Sequence, residues 1–364
     1  MDTRDVIPQS LTSGRWPALL LAATLLGCGA GGTVSPPPPT PPSQLALDYT
    51  NAAVDLMQHN SINRYRIDWV ALRATAIKRI GPALSSRDTY EAIREAIVAL
   101  GDNHSFFVEP PSPVPASLDH ASVDASRSVG TASMPAAQLL TGHIGYLWVP
   151  DISGLATLAE AQVYADELHK QITLIDSVVT CGWVVDLRGN LGGNMWPMIA
   201  GLGPVLGEGT LGAFVDPDSN RTTWFYRDGG AGVRTPSYEL VQARVSGPAY
   251  RLVRPDPPVA VLYGPTTRSS GEAVAIAFRG RPQARSFGLP TYGLSTANAG
   301  FALRDGALLV LTVAADVDRS GIIYGGVVAP DVVVTRQTIN PNVPQDEVNA
   351  AATAWLKSLA VCKP

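Results

Sequence analysis

The chain has 364 residues, 46% of them hydrophobic and only 16% charged, a composition that fits a globular enzyme-sized body. Its net charge of −4 offers no basic surface, so nothing in the composition points to a nucleic-acid partner.

The N-terminus reads differently from the rest. Residues 16–26 (WPALLLAATLL) are apolar but too short to span a bilayer; Arg4 and Arg15 precede them and Leu25, Leu26, Gly27 and Cys28 close them. This resembles a bacterial lipoprotein signal, which implies removal of residues 1–27 and lipidation of Cys28. Residues 28–43 then form a linker whose run GAGGTVSPPPPTPPS should be extended and partly polyproline II. The expectation is a protein of the bacterial cell envelope, tied to a membrane through its N-terminal lipid and facing the periplasm or the cell surface.

About 320 residues follow, enough for one large or two ordinary domains. Between residues 44 and 108 apolar positions recur at helical spacing: Ala52, Val54, Leu56 and Met57, then Trp69, Leu72, Ile77 and Ile80, then Tyr90, Ile93, Ile97 and Leu100. Three short helices are expected, the third introduced by Ser86 and Asp88 as capping candidates, leading into Gly101-Asp102-Asn103-His104-Ser105. Residues 109–142, rich in Pro, Ser and Ala, read as a long irregular loop.

From residue 143 to 364 strands alternate with helices. IGYLWVP is a strand, Ala159 to Ser177 a helix, CGWVVDL a strand apolar on both faces, and Met195 to Leu206 a helix; such strands suit a parallel sheet covered by helices. Residues 207–255 look like a hairpin insertion. VAVLY, the helix after TTRSSGE, and ARSFG make a second strand–helix–strand unit, followed by a hairpin turning at Asp305-Gly306 and a C-terminal helix. With Cys28 assigned to lipid, Cys181 and Cys362 remain as a disulfide pair in an oxidising compartment, or as two separate buried thiols.

Functional groups gather at the carboxyl ends of strands in such units. Two loops occupy that position: DLRGNLGGN (186–194), whose glycines leave backbone N–H groups unshielded, and TTRSSGE (266–272). The second carries S-x-x-E, Ser269 to Glu272, which is also the signature of a reciprocal helix cap. If the strands are neighbours, glycine-loop amides and the Ser270 amide converge beside the Ser269 hydroxyl, the geometry of an oxyanion hole. A serine needs a base, and of the five histidines His104 sits in the most compact polar loop, whereas His59, His120, His143 and His169 read as surface or core residues. Asp186, Arg188 and Asn190 read as shaping the glycine loop. No metal-ligand spacing and no phosphate loop is present, so neither metal nor cofactor is expected.

Taken in order, LGDNHSFF, IGYLWVPDISG, CGWVVDLRGNLGGN, GPTTRSSGEAVAIAFRG, GLPTYGLSTANAGF and YGGVVAPD resemble the C-terminal processing, or tail-specific, serine peptidase family over nearly the whole chain after the linker. The resemblance implies an α/β fold, a crotonase/ClpP-like β/α core with an N-terminal helical bundle. It implies Ser269 as nucleophile, with oxyanion donors from the amides of Ser270 and of Gly192 or Gly193. Members with a Ser-Lys dyad carry lysine where this chain has Leu294, so the chain is more similar to the PDZ-lacking, histidine-using branch that includes the tricorn core, and His104 becomes the base. The acid that orients that histidine is absent from its usual place, where Tyr324 and Gly325 stand, leaving Asp318 or Asp316 as candidates. Residues 109–142 are too few for a PDZ domain. The implied activity is that of a lipid-anchored serine endopeptidase acting on peptide or protein substrates, the alternatives being a non-catalytic ligand-binding lipoprotein on the same fold or an esterase using the same serine.

Overall fold

A computed structural model describes residues 40–110, 133–179, 181–336 and 346–362. The expected signal, Cys28 and most of the linker lie outside these residues, as do His120 and the middle of the 109–142 segment.

The described chain opens with three helices, α1 (Gln44–Asn60), α2 (Trp69–Ile80) and α3 (Tyr90–Val98). Ser43 caps the first by accepting the Ala46 N–H, and Asp68 caps the second by accepting those of Val70 and Ala71. The third enters through a 3-10 turn at Arg87–Thr89. Asp88 does not cap it: its carboxylate accepts the N–H groups of Leu84 and Ser85 behind it, closing the loop, and Ser86 makes no cap bond either. The bundle buries Tyr49, Val54, Met57, Ile93 and Ile97 together with Leu303, Leu309 and Leu311 of the following sheet, so the helices form one core with the body of the protein.

Strand β1 (Phe106–Val108) follows, then β2 (Ala136–Leu140), β3 (Ile144–Trp148), helix α4 (Leu158–Asp176), β4 (Gly182–Asp186) and α5 (Met195–Leu206). Next come β5 (Gly209–Val215), β6 (Arg221–Arg227), β7 (Gly230–Arg234) and β8 (Glu239–Arg244). The chain continues through β9 (Val259–Tyr263), α6 (Ser270–Ala277), β10 (Ala284–Gly288), β11 (Thr296–Ala302), β12 (Leu308–Asp318) and β13 (Val332–Val333), and ends in α7 (Glu347–Ser358). Two expectations change here. Part of the 109–142 segment is the strand β2, antiparallel to β3, and the 207–255 insertion is a four-stranded meander instead of a single hairpin.

One sheet runs β13-β10-β9-β4-β3-β2, parallel except for the β2 edge. Both of its faces are covered, which is why β4 and β9 are buried at every position. Trp183, Val185, Val259 and Val261 pack under α4, α5 and α6, while Val184, Ala260 and Leu262 pack under Val348, Ala352 and Leu356 of α7. Cys181 and Cys362 are joined as a disulfide, Cα–Cα 4.5 Å, which pins the chain end beyond α7 to the start of β4. The second sheet, β1-β12-β5-β6-β7-β8 with β11 also on β12, is antiparallel.

Candidate active site

Because β4, β9 and β10 are parallel neighbours, the loops leaving their carboxyl ends lie side by side. The loop after β9 ends at Ser269, whose φ of 51° and ψ of −123° put a non-glycine residue in a sparsely populated region costing on the order of 1–3 kcal/mol. The surroundings hold it there. Thr267 Oγ1 donates to the Leu187 carbonyl at 2.9 Å and Arg268 N–H donates to the Asn190 carbonyl at 3.1 Å, so the turn is stitched to the neighbouring loop on both sides.

Glu272, fully buried, anchors the same turn. Its Oε2 accepts N–H groups from Ser269 at 2.8 Å and Leu294 at 2.7 Å, and its Oε1 accepts the Thr291 hydroxyl and the Gly293 N–H at 2.9 Å. The capping contact expected of Glu272 is therefore made, and the same carboxylate also fixes the loop after β10. Burial raises its pKa, and the four donors work against that rise.

The loop after β4 is organised by Asn190. Its Nδ2 donates to the carbonyls of Val149 and Pro150 at 3.0 and 3.1 Å, and its Oδ1 accepts the Gly192 N–H at 2.9 Å. This removes Gly192 from the expected oxyanion pair, since its donor is already used. Among the described residues the N–H groups of Gly193 and Ser270 have no acceptor, while the Gly193 carbonyl takes the Ser270 hydroxyl at 2.7 Å. The glycines are sterically required: a Cβ on Gly192, φ +98°, would lie 2.8 Å from Ser269 Cβ, and one on Gly193, φ +94°, would lie 1.7 Å from the Ile152 carbonyl oxygen. Behind the loop Arg188 is buried between Asp186 (2.6 Å) and Asp346, and the Tyr146 hydroxyl donates to Asp186 at 2.7 Å. Asp186, Arg188 and Asn190 thus hold the loop, as the sequence reading expects.

His104 reaches the site from the bundle side. Its Nδ1 is 2.7 Å from Thr296 Oγ1, and its carbonyl accepts from Asn298 Nδ2 at 3.0 Å. With Nδ1–H donated to the threonine, Nε2 is left as the basic nitrogen. Burial lowers the histidine's pKa; Asp102 pulls it up and Arg268, the residue before Ser269, pushes it down, so the imidazole lies within electrostatic reach of the Ser269 turn. Among the described residues no hydrogen bond joins His104 to Ser269; catalytic pairs are often long before substrate arrives.

Neither expected orienting acid touches the histidine. Asp318 is occupied by Ser320, Tyr324 and the Ile322 N–H in its own turn. Asp316 is fully buried beside Glu272 with neither carboxyl oxygen hydrogen-bonded. Thr296 holds Nδ1 instead, and nothing about a threonine opening a strand marks it in the sequence. His59, His143 and His169 bond to Asp55, Val178 and Tyr250 backbone groups. Among the described residues no three His, Cys, Asp or Glu side chains are grouped to hold a metal ion.

Residues 143–334 match the model of peptidase family S41. The nisin-resistance protein of Lactococcus lactis subsp. lactis is 27% identical over 321 residues, 88% of each chain. In structure the protein is similar to a lipoprotein from Streptococcus agalactiae, at a TM-score of 0.66 and 23% identity over 87% of this chain and 97% of that one. It is also similar to the photosystem II D1 C-terminal processing protease, at 0.52 and 18% over 80% and 94%. At these identities the structural likeness speaks to the fold alone.

Proposed function

The chain belongs to peptidase family S41, and from that premise we propose that it is a serine endopeptidase of the bacterial cell envelope, anchored through a lipid on Cys28. Ser269 Oγ attacks the peptide carbonyl while His104 Nε2 takes its proton, and the Ser270 and Gly193 N–H groups receive the oxyanion. His104 then passes the proton to the leaving amine, and water, deprotonated by the same nitrogen, releases the acyl group from Ser269. In this scheme Thr296 Oγ1 accepts Nδ1–H, leaving Nε2 for the transfers.

The observation that carries the reading is the pair of uncommitted amides beside a constrained serine: among the described residues the Gly193 and Ser270 N–H groups have no acceptor and can serve a developing charge, whereas that of Gly192 is taken by Asn190. Such donors contribute roughly 3–4 kcal/mol each to acyl transfer. The likeness to a nisin-resistance protein supports the envelope location and makes nisin the first substrate to try.

The test is fluorophosphonate labelling of the full-length protein in detergent, with the adduct mapped by mass spectrometry. Ser269 is expected to carry the adduct, with labelling abolished in Ser269→Ala and strongly reduced in His104→Ala. A folded protein that takes no label would overturn the peptidase reading. That outcome would favour a ligand-binding lipoprotein, the reading with which the lack, among the described residues, of a hydrogen bond between His104 and Ser269 agrees. Labelling accompanied by turnover of acyl esters but not of peptides would identify an esterase.

A further inference from the structure

The far end of α6 is built unlike the end that carries Ser269. Beyond Ala277 the chain runs Phe278-Arg279-Gly280-Arg281-Pro282, and these residues with Ser286 and Asp331 line a cavity of about 390 Å³. The guanidiniums of Arg279, Arg281 and Arg285 belong to residues that line it, and a fourth, Arg319, packs behind the lining against Gly280; Arg279 and Arg319 are committed. Arg279 donates from Nη1 to Asp331 at 2.5 Å and from Nη2 to the Tyr263 hydroxyl at 2.8 Å, although its Nε is buried without an acceptor. Arg319, packed against Gly280, donates to the carbonyls of Ala277 and Leu206, both at 3.0 Å.

Arg281 is different. Only 7% exposed, it makes one side-chain hydrogen bond, from Nη1 to the carbonyl of its neighbour Pro282 at 2.8 Å. Asp331 cannot serve it, because one carboxylate oxygen takes Arg279 and the other takes the N–H and hydroxyl of Ser286. Asp256 acts on it electrostatically but does not form an ion pair with it. A guanidinium keeps its proton at any working pH, so the donors that Arg281 does not use within the protein are open to water or to an acceptor that enters the cavity.

We propose that this cavity is a binding site for a small oxyanion, gripped by the Arg281 fork in the positive potential of Arg279 and Arg319. A tetrahedral anion such as phosphate or sulfate and a carboxylate share the chemistry that the fork recognises. The site lies at the opposite end of an eight-residue helix from Ser269, about 12 Å along its axis, so an anion there steadies the helix on which the nucleophile is mounted without entering the cleft.

The experiment is a titration of the full-length protein in detergent with sodium phosphate, sodium sulfate or sodium acetate at ionic strength held constant with sodium chloride, read by thermal unfolding and by calorimetry. At least one of these anions is expected to raise the Tm saturably above the chloride control. Phosphate or sulfate ahead of acetate would identify a tetrahedral ligand, and the reverse order a carboxylate. In Arg281→Met the affinity should fall by about tenfold or more, the loss of charge-assisted hydrogen bonds, with fluorophosphonate labelling unchanged. Arg281→Lys, which keeps the charge and loses the fork, should be intermediate and serves if the methionine variant does not fold. No anion-specific stabilisation of the wild type, or an equal rise in the Arg281 variants, would overturn the proposal.

Discussion

Replacing Asp316 by asparagine is expected to stabilise the protein at neutral pH, by an amount that shrinks as the pH falls. The carboxyl is 1% exposed, both of its oxygens lack hydrogen-bond partners, and its charged neighbour Glu272 already holds four donors. Burial first, and the Glu272 charge second, push the Asp316 pKa well above the usual aspartate range. In the folded protein the group therefore keeps its proton at pH values where the unfolded chain has lost it. Its favourable contribution is complete below the unfolded pKa and is lost as the pH rises toward the folded one. One proton makes the slope about 1.4 kcal/mol per pH unit across that window. Asparagine has nearly the same shape and cannot ionise, so the pH dependence of the difference between the two proteins isolates the ionisation. Urea unfolding of both at pH 5, 6 and 7 measures it. A difference that stays flat across that range, or one that grows in favour of the wild type as the pH rises, would refute the reasoning.

His104 is held below the ordinary histidine pKa by burial and by Arg268, so the acid limb of kcat/KM should lie on the acid side of pH 6.5 and move upward in Arg268→Gln, with burial keeping it from reaching that value. Thr296→Val removes the partner of Nδ1 and should lower kcat/KM about tenfold, while Thr296→Ser restores it; equal activity of all three would remove Thr296 from the mechanism. Gly192→Ala forces a Cβ within 2.8 Å of Ser269 Cβ at a φ of +98°, and should suppress labelling of Ser269 more than it lowers the Tm. The Cys181–Cys362 bridge closes a loop spanning 181 residues, so the double serine variant should lose about 5 kcal/mol in the chain-entropy model, measured by urea unfolding under non-reducing conditions.

Much of this architecture is written in hydrophobic period. The near-continuous apolar runs of β4 and β9 announce a sheet buried on both faces, and the segment Met195–Leu206 is a helix at the boundaries its pattern predicts. What composition hides is pairing. Ala136–Leu140 lies in a stretch of Pro, Ser and Ala with little alternation, and becomes a strand because β3 offers it an edge. The site shows the same division. Its loops can be found from glycines and from S-x-x-E, but which amide stays free depends on where Asn190 points its side chain, and Gly192 and Gly193 look alike in sequence. Chemical expectation also misdirects at one point. A catalytic histidine is expected to have a carboxylate partner, and the search for one leads to Asp316 and Asp318, whereas the hydroxyl of Thr296 meets the ring.

Ser269 and His104, the proposed nucleophile and base, come from segments 165 positions apart, and two features bring them together. β1 begins two residues after His104, and its pairing of Phe106 with Val310 fixes the register of that segment on β12; since side chains alternate across a strand, a slip of one residue would turn His104 toward the opposite face. From the other side, Glu272 binds Ser269 with one oxygen, and with both it binds the 291–294 loop, from which Thr296 follows directly. The carboxylate that caps the helix after Ser269 thus also sets the start of the strand whose Thr296 meets His104. A single buried glutamate therefore couples the two halves of the proposed site, because the carboxylate that completes the cap of Ser269 also holds the 291–294 loop.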